Sequence, residues 1–71
     1  MTEKEKKFHV LLIDCLLEMK LPEKNIQAIV TMLKTERQMG TMLNWIVNHH
    51  KENPTMYRVM MVAVNIKNGV K

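Results

Sequence analysis

The chain has few of the residues that mark secreted, disordered or turn-rich proteins. Among 71 residues there are one cysteine, two glycines, two prolines, and one each of Trp, Tyr and Phe. The lone Cys15 cannot form an internal disulfide, whereas a secreted domain of this size normally needs several. We therefore expect a cytoplasmic protein in a reducing compartment.

Long hydrophobic runs are also missing. The most apolar stretch extends from Phe8 to Met19, and the charged side chain of Asp14 interrupts it. A bilayer-spanning helix needs about 20 predominantly apolar residues, so this stretch is too short. Glu3 and Glu5 lie where a signal peptide would carry only basic residues. The sequence therefore predicts neither a membrane segment nor a cleaved signal.

What is present is enough hydrophobic material to fold. Apolar residues make up 46% of the chain, which is too high for disorder, and glycine and proline are too few for many short strands. The length allows one domain, residues 1–71. Eight methionines and little aromatic content predict an aliphatic, thioether-rich core that adapts easily to its neighbours.

Helical periodicity and capping signals predict an all-α fold, a compact bundle of four short helices at about residues 3–20, 22–34, 36–51 and 54–68. The first helix begins at a capping box, Thr2 with Glu5. In the second helix, Pro22 occupies the first turn, where a missing N–H is tolerated. The sequence Asn53–Pro54 predicts the start of the fourth helix, with the asparagine as its N-cap.

The boundary between the second and third helices has two possible positions. Thr35 and Gln38 form a second capping box, and a break there keeps Arg37 off the apolar stripe. Gly40 is the alternative, because glycine often ends helices. The capping box is the stronger signal, and Gly40 would then lie on the flank of the third helix, where it permits close backbone approach. Asn68 and Gly69 end the fourth helix.

Two helices carry more apolar surface than one core requires. In the first helix, Phe8, Leu11, Leu12, Cys15 and Met19 form one stripe, and a second stripe faces another direction. The fourth helix has only a narrow polar side. Such coverage indicates a surface that binds another protein or a second copy of the chain. The candidate protein interface consists of Val10, Ile13, Leu17, Trp45, Met61 and Val62.

Residues for catalysis are few and scattered. Cys15 lies on the apolar stripe, His9 lies on a different face, and the chain has no phosphate-binding loop, paired-cysteine motif or nucleophile elbow. Met39 and Met42 share a face with His50, which suits monovalent copper, although methionines at this spacing are more often core residues. The sequence therefore predicts no enzymatic activity, no catalytic or metal-binding residues, no cofactor and no small-molecule substrate.

The polar face of the third helix supports an alternative function. Its five residues follow one another at spacings of three or four, and their side chains are types that contact base edges and phosphates. They are Arg37, Thr41, Asn44, Asn48 and Lys51. With a net charge of +4, this arrangement fits a helix-turn-helix-like DNA-binding regulator. A solvated helix face explains the same pattern, and the nucleic-acid interpretation ranks second to protein binding.

Overall fold

The computed structural model describes residues 2–69, and this part of the chain forms four α-helices, with no β-strand. The helices are α1 (Glu3–Glu18), α2 (Glu23–Met32), α3 (Glu36–His49) and α4 (Met56–Lys67), with a short 3-10 turn (His50–Glu52) before α4. The predicted all-α bundle of four helices is confirmed. No helix in the described part of the chain is long and apolar enough to cross a membrane.

Both predicted capping boxes are formed. The Thr2 hydroxyl accepts a hydrogen bond from the backbone N–H of Glu5 at 3.1 Å, and the Glu5 carboxylate accepts one from the N–H of Thr2 at 2.8 Å. The bond from the Thr2 N–H to the carboxylate is the main cause that holds the pKa of Glu5 below its ordinary value. At α3, Thr35 and Gln38 make the same pair of bonds. The boundary therefore lies at Thr35, and Gly40 is an interior residue of α3.

The predicted start of α4 at Asn53–Pro54 is wrong. Asn53 adopts the left-handed conformation, with φ 49°, and ends the 3-10 turn. The N-cap is Thr55, whose hydroxyl accepts a hydrogen bond from the backbone N–H of Arg58 at 3.1 Å. The Thr55 hydroxyl thus pairs with an N–H of the first turn that would otherwise lack a partner, so the helix begins at Met56 rather than at the proline.

Pro22 is the N-cap of α2 and does not belong to its first turn as predicted, so α2 begins at Glu23. The ends of α1, α2 and α3 each fall two residues earlier than predicted. Met19 caps α1, and Lys20 adopts the left-handed conformation with φ 60°. The N–H groups of Lys20 and Leu21 donate to the carbonyls of Leu17 and Leu16, which is the Schellman pattern. Left-handed backbone stops the helix there without glycine. Gly69, with φ 76°, follows α4 in the same conformation, as its sequence predicted.

The core is aliphatic and contains two methionines. Its eleven buried members come from all four helices and the α2–α3 connection, and within residues 2–69 no polar side chain is buried with them. They are Leu12, Leu16, Ile26, Ile29, Val30, Leu33, Met39, Met42, Ile46, Val59 and Ala63. Leu11 and His50, whose spacing placed them with apolar residues, are instead exposed, and so is Val47, because no helix among residues 2–69 covers that side of α1 and α3.

The four helices occupy the corners of a square in the order α1, α2, α4, α3. Helix α1 packs against α2 and α3, and α4 packs against the same two helices. Within residues 2–69 no Cα of α1 comes within 8 Å of one in α4, and the same holds for α2 and α3. Diagonal helices therefore turn their outer faces in opposite directions.

Candidate interaction surfaces

The outer face of α1 exposes apolar side chains. Val10 and Leu17 lie seven positions apart, which places them on one side of the helix, and each is 57% exposed. Ile13, predicted to belong to the same interface, is partly buried and packs against the core. The outer face is therefore a two-residue apolar patch bordered by a side chain that already has a structural role.

A second apolar face lies on α4. Met61 is exposed, whereas Val62, also predicted for the interface, is partly buried against the core. Tyr57 lies one turn before Met61 and is 73% exposed, and Met56 beside it is exposed as well. Sequence reasoning named neither Tyr57 nor Met56 as an interface residue. The spacing of four residues between Tyr57 and Met61, which puts both on one face of a helix, was the signal that could have identified Tyr57.

The structure does not join these two faces into one surface. Because α1 and α4 occupy diagonal corners, Val10 and Leu17 point away from Met61. The exposed residues of α1 and α4 proposed for a single interface therefore lie on two separate faces, and Trp45 belongs to a third helix, α3. A protein bound to one of them would leave the other accessible.

Trp45 forms the centre of a polar and aromatic cluster. Its ring stacks on that of His49, with centroids 4.6 Å apart and an interplanar angle of 16°. The Nδ1 atom of His49 donates to the Trp45 carbonyl oxygen at 2.8 Å, since a carbonyl can only accept. The guanidinium carbon of Arg58 lies 5.5 Å from the Trp45 ring centroid, and an Arg58 nitrogen contacts a Glu52 carboxylate oxygen at 3.0 Å.

This cluster gives Trp45 a structural role in addition to any binding role. It connects the last turn of α3, the 3-10 turn and the first turn of α4. The indole is half-buried at the edge of the core, as its position off the main stripe indicated. Arg58 is half-exposed, so its ion pair and cation–π contact each contribute at most about 1 kcal/mol.

The polar face of α3 is open to solvent. All five residues of the candidate nucleic-acid face are exposed: Arg37, Thr41, Asn44, Asn48 and Lys51. The predicted position of Lys51 on the third helix is wrong, because α3 ends at His49 and Lys51 lies in the 3-10 turn. The Thr41 hydroxyl donates to the Arg37 carbonyl oxygen at 2.8 Å, which occupies its donor. At the start of α3, Arg37 shares a shallow groove with Lys67 of α4. Within the residues described, helices α2 and α3 have no Cα atoms within 8 Å of each other, whereas the two helices of a helix-turn-helix pack closely together.

A third surface, which sequence reasoning missed, lies between α1 and α3. At one end Phe8 lines a depression with Gly40 and Asn44, and at the other end Cys15 lines a depression of about 580 Å³ with Val47. Helical spacing places Leu11 between Phe8 and Cys15, and Leu43 between Gly40 and Val47. We call this surface the α1–α3 seam, and it comprises Phe8, Leu11, Cys15, Gly40, Leu43 and Val47.

The groups suited to catalysis or metal binding are not brought together. Partial burial raises the pKa of the Cys15 thiol, and the negative charges of Glu18 and Asp14 raise it further, which disfavours the nucleophilic thiolate. Met39 and Met42 are fully buried, while His50 is exposed. Among residues 2–69 no three His, Cys, Asp or Glu side chains are placed to hold a metal ion.

Comparison with known proteins gives no relative from which a function can be carried over. The chain matches no protein-family model, no curated protein and no solved structure.

Proposed function

We propose that this protein is a non-enzymatic binding module that contacts other proteins, or further copies of itself, through apolar side chains left exposed by the bundle. One observation carries this proposal: the outer faces of α1 and α4 expose large hydrophobic residues in a chain whose core is already complete. The clearest are Val10 and Leu17 on α1 and Tyr57 and Met61 on α4.

Burial of these side chains by a partner would supply useful binding free energy. Apolar surface removed from water contributes about 25 cal/mol per Å². Tyr57 is the strongest single anchor, because tyrosine combines a large apolar ring with a hydroxyl that can remain hydrated, and because most of it is exposed. Met61 and Met56 add flexible thioethers that adapt to a partner of irregular shape. The lone, partly buried thiol of Cys15 suits a cytoplasmic location.

Site-specific photo-crosslinking in living cells tests this proposal. A photoreactive amino acid is placed at Tyr57, at Leu17 and, as a matched exposed control, at Gln27 on the polar face of α2. We expect the same discrete adduct to recur from Tyr57 or Leu17 and to be absent from Gln27. The adduct should disappear when Met61 or Val10 on the same face is changed to lysine. Equal labelling from all three positions would contradict the proposal.

A second candidate function, DNA binding by the polar face of α3, has its own supporting observation. Arg37, Asn44 and Asn48 are exposed on α3, and Lys51 is exposed in the 3-10 turn that follows it. Lys67 of α4 lines the same groove as Arg37. Asparagine and arginine make paired hydrogen bonds to adenine and guanine. The limited number of cations and the separation of α2 from α3 place this candidate behind protein binding.

Salt-dependent titration of duplex DNA tests the second candidate. If α3 binds the duplex, Arg37→Ala and Lys51→Ala should each weaken binding and lower the salt dependence by about one counterion. Lys24→Ala, an exposed cation on α2, serves as the control and should have a smaller effect. Equal effects of all three variants would indicate non-specific attraction to a basic protein, and no binding at low salt would eliminate DNA as the ligand.

A further inference from the structure

We propose that the α1–α3 seam binds the same seam of a second copy, with the two copies antiparallel and related by a two-fold axis that passes near Leu11 and Leu43. The inference rests on the proposed function, since the protein bound is another copy of this chain. It concerns a different surface from the outer faces of α1 and α4. Four properties of the seam support it.

The first property is the uncovered apolar centre. Leu11 is 51% exposed and Val47 is 65% exposed, although both lie beside residues that pack into the core. Gly40, next to them, has open space where a Cβ would stand. Glycine inside a helix costs about 1 kcal/mol relative to alanine, and the contacts within this chain do not require it. On the seam, however, the missing Cβ lets a second helix approach the α3 backbone closely.

The second property is the charge pattern of α1. Its cations Lys4 and Lys7 lie seven and four residues before Leu11, and its anions Asp14 and Glu18 lie three and seven residues after it. All four side chains are exposed. An antiparallel second copy centred on Leu11 places Lys4 opposite the other copy's Glu18, and Lys7 opposite its Asp14. Each contact occurs twice, as a two-fold axis requires.

The third property is that α3, together with the 3-10 turn that follows it, carries charges of opposite sign at its two ends, in the reverse order to α1. Phe8 shares one depression with Gly40 and Cys15 shares the other with Val47, so the two helices run in the same direction. Helical spacing then puts Leu11 and Leu43, each midway between these positions, at about the same height. Glu36, the first residue of α3, lies seven residues before Leu43, and Lys51, in the 3-10 turn, lies eight residues after it. One axis therefore makes both helices self-complementary. In residues 2–69 the one ion pair joins Arg58 to Glu52, so the seam charges remain available to a second copy.

The fourth property is the size of the seam. A helix of 16 residues is about 24 Å long, and two adjacent helices present a face about 20 Å wide. Pairing two such faces buries on the order of 1,000 Å² in total, which is the lower limit for specific interfaces. We therefore expect a weak, reversible dimer with a dissociation constant in the micromolar range or above.

A charge-exchange experiment tests the antiparallel register. One variant combines Lys4→Glu with Lys7→Glu, and the other combines Asp14→Lys with Glu18→Lys. Acidic residues near the start of α1 and basic residues near its end complement the helix dipole, so both variants should fold, as circular dichroism would verify. Sedimentation equilibrium is measured at low salt, from about 5 μM to 1 mM, on the natural chain, each variant and their equimolar mixture.

The expected result is dimerisation of the natural chain, loss of self-association of at least about tenfold in each variant alone, and recovery in the mixture. Recovery follows because each of the four charged positions of α1 in one variant then faces a residue of opposite charge in the other variant. A parallel pairing, with α1 against α3, leaves some repulsive pairs in the mixture. Absence of recovery would therefore overturn the proposed arrangement.

Two matched valine variants identify the surface. Val47→Lys lies on the seam, and Val10→Lys lies on the outer face of α1 at a similar exposure. We expect the first to raise the dissociation constant at least about tenfold and the second to leave it unchanged. The reverse result overturns the seam dimer and favours the outer face of the proposed function. A natural chain that stays monomeric at 1 mM overturns the seam dimer alone, because photo-crosslinking from Tyr57 and Leu17 still tests binding to other proteins.

Discussion

Replacing Gly40 by alanine should stabilise this protein, although a glycine on the flank of a helix often permits close packing that an added methyl group would disrupt. Gly40 lies inside α3, five residues after its N-cap, and a Cβ added there meets no atom within 4 Å. The new methyl group therefore causes no steric strain. Alanine also restricts the unfolded chain more than glycine does, so folding costs less conformational entropy.

The magnitude follows from helix propensity alone. Glycine in a helix interior is about 1 kcal/mol less favourable than alanine, and no packing contribution of either sign adds to this value. For a domain of this length, 1 kcal/mol corresponds to roughly 4–8 °C in the melting temperature. The expected result for Gly40→Ala is therefore an increase of about that size, with unchanged dependence of the unfolding free energy on urea.

The assay is urea and thermal unfolding followed by circular dichroism, at a protein concentration at which sedimentation shows the chain to be monomeric. Gly69→Ala is the control, because its added Cβ also meets no neighbouring atom but its φ is +76°. The left-handed backbone should make that variant less stable, by about 1 kcal/mol. If Gly40→Ala is neutral or destabilising, other atoms contact the flank of α3, and the space beside Gly40 is not open.

Three further predictions concern the helix ends and the thiol. Lys20→Gly should raise the unfolding free energy by about 1 kcal/mol, because glycine adopts the left-handed C-cap conformation without strain. Urea unfolding measures this change, and the control variant Lys20→Ala should show no increase in the unfolding free energy. Thr55→Ala should lower stability by about 1 kcal/mol through loss of the hydroxyl bond to the Arg58 N–H, and an unchanged urea midpoint would show that Thr55 does not cap α4. Alkylation of Cys15 should reach half its maximal rate at a higher pH than alkylation of free cysteine. Burial, and to a smaller extent the charge of Glu18, raises the thiol pKa and so lowers the fraction of thiolate at each pH. A pH profile that coincides with that of free cysteine would contradict this prediction.

The two capping boxes show where sequence reasoning about this fold succeeds. Each requires a threonine and a glutamate or glutamine three residues later, and the bonds they form are local, so tertiary packing is not needed to locate them. The start of α4 shows where it fails. Asn53–Pro54 and Thr55 are competing caps two residues apart, and the left-handed backbone of Asn53 decides between them.

For the candidate surfaces, sequence periodicity identified excess apolar coverage but not its distribution. Val10, Leu17 and Met61 are exposed as expected, whereas Ile13 and Val62 contribute to packing against the core. A stripe at helical spacing shows which residues share a face, but it does not show how wide a face the neighbouring helices cover. The exposure of Leu11 could not be derived from its spacing, which matches that of the buried Leu12 stripe.

The sequence by itself determined that this protein is an all-α bundle, where two of its helices begin and that its core is aliphatic, because capping and periodicity act over a few residues. Only the tertiary structure decided which helices are neighbours. Placing α1 and α4 on a diagonal separates their apolar faces, and placing α1 beside a parallel α3 aligns Leu11 with Leu43. These relations depend on packing between residues about 30 positions apart, and no local pattern in the chain encodes them.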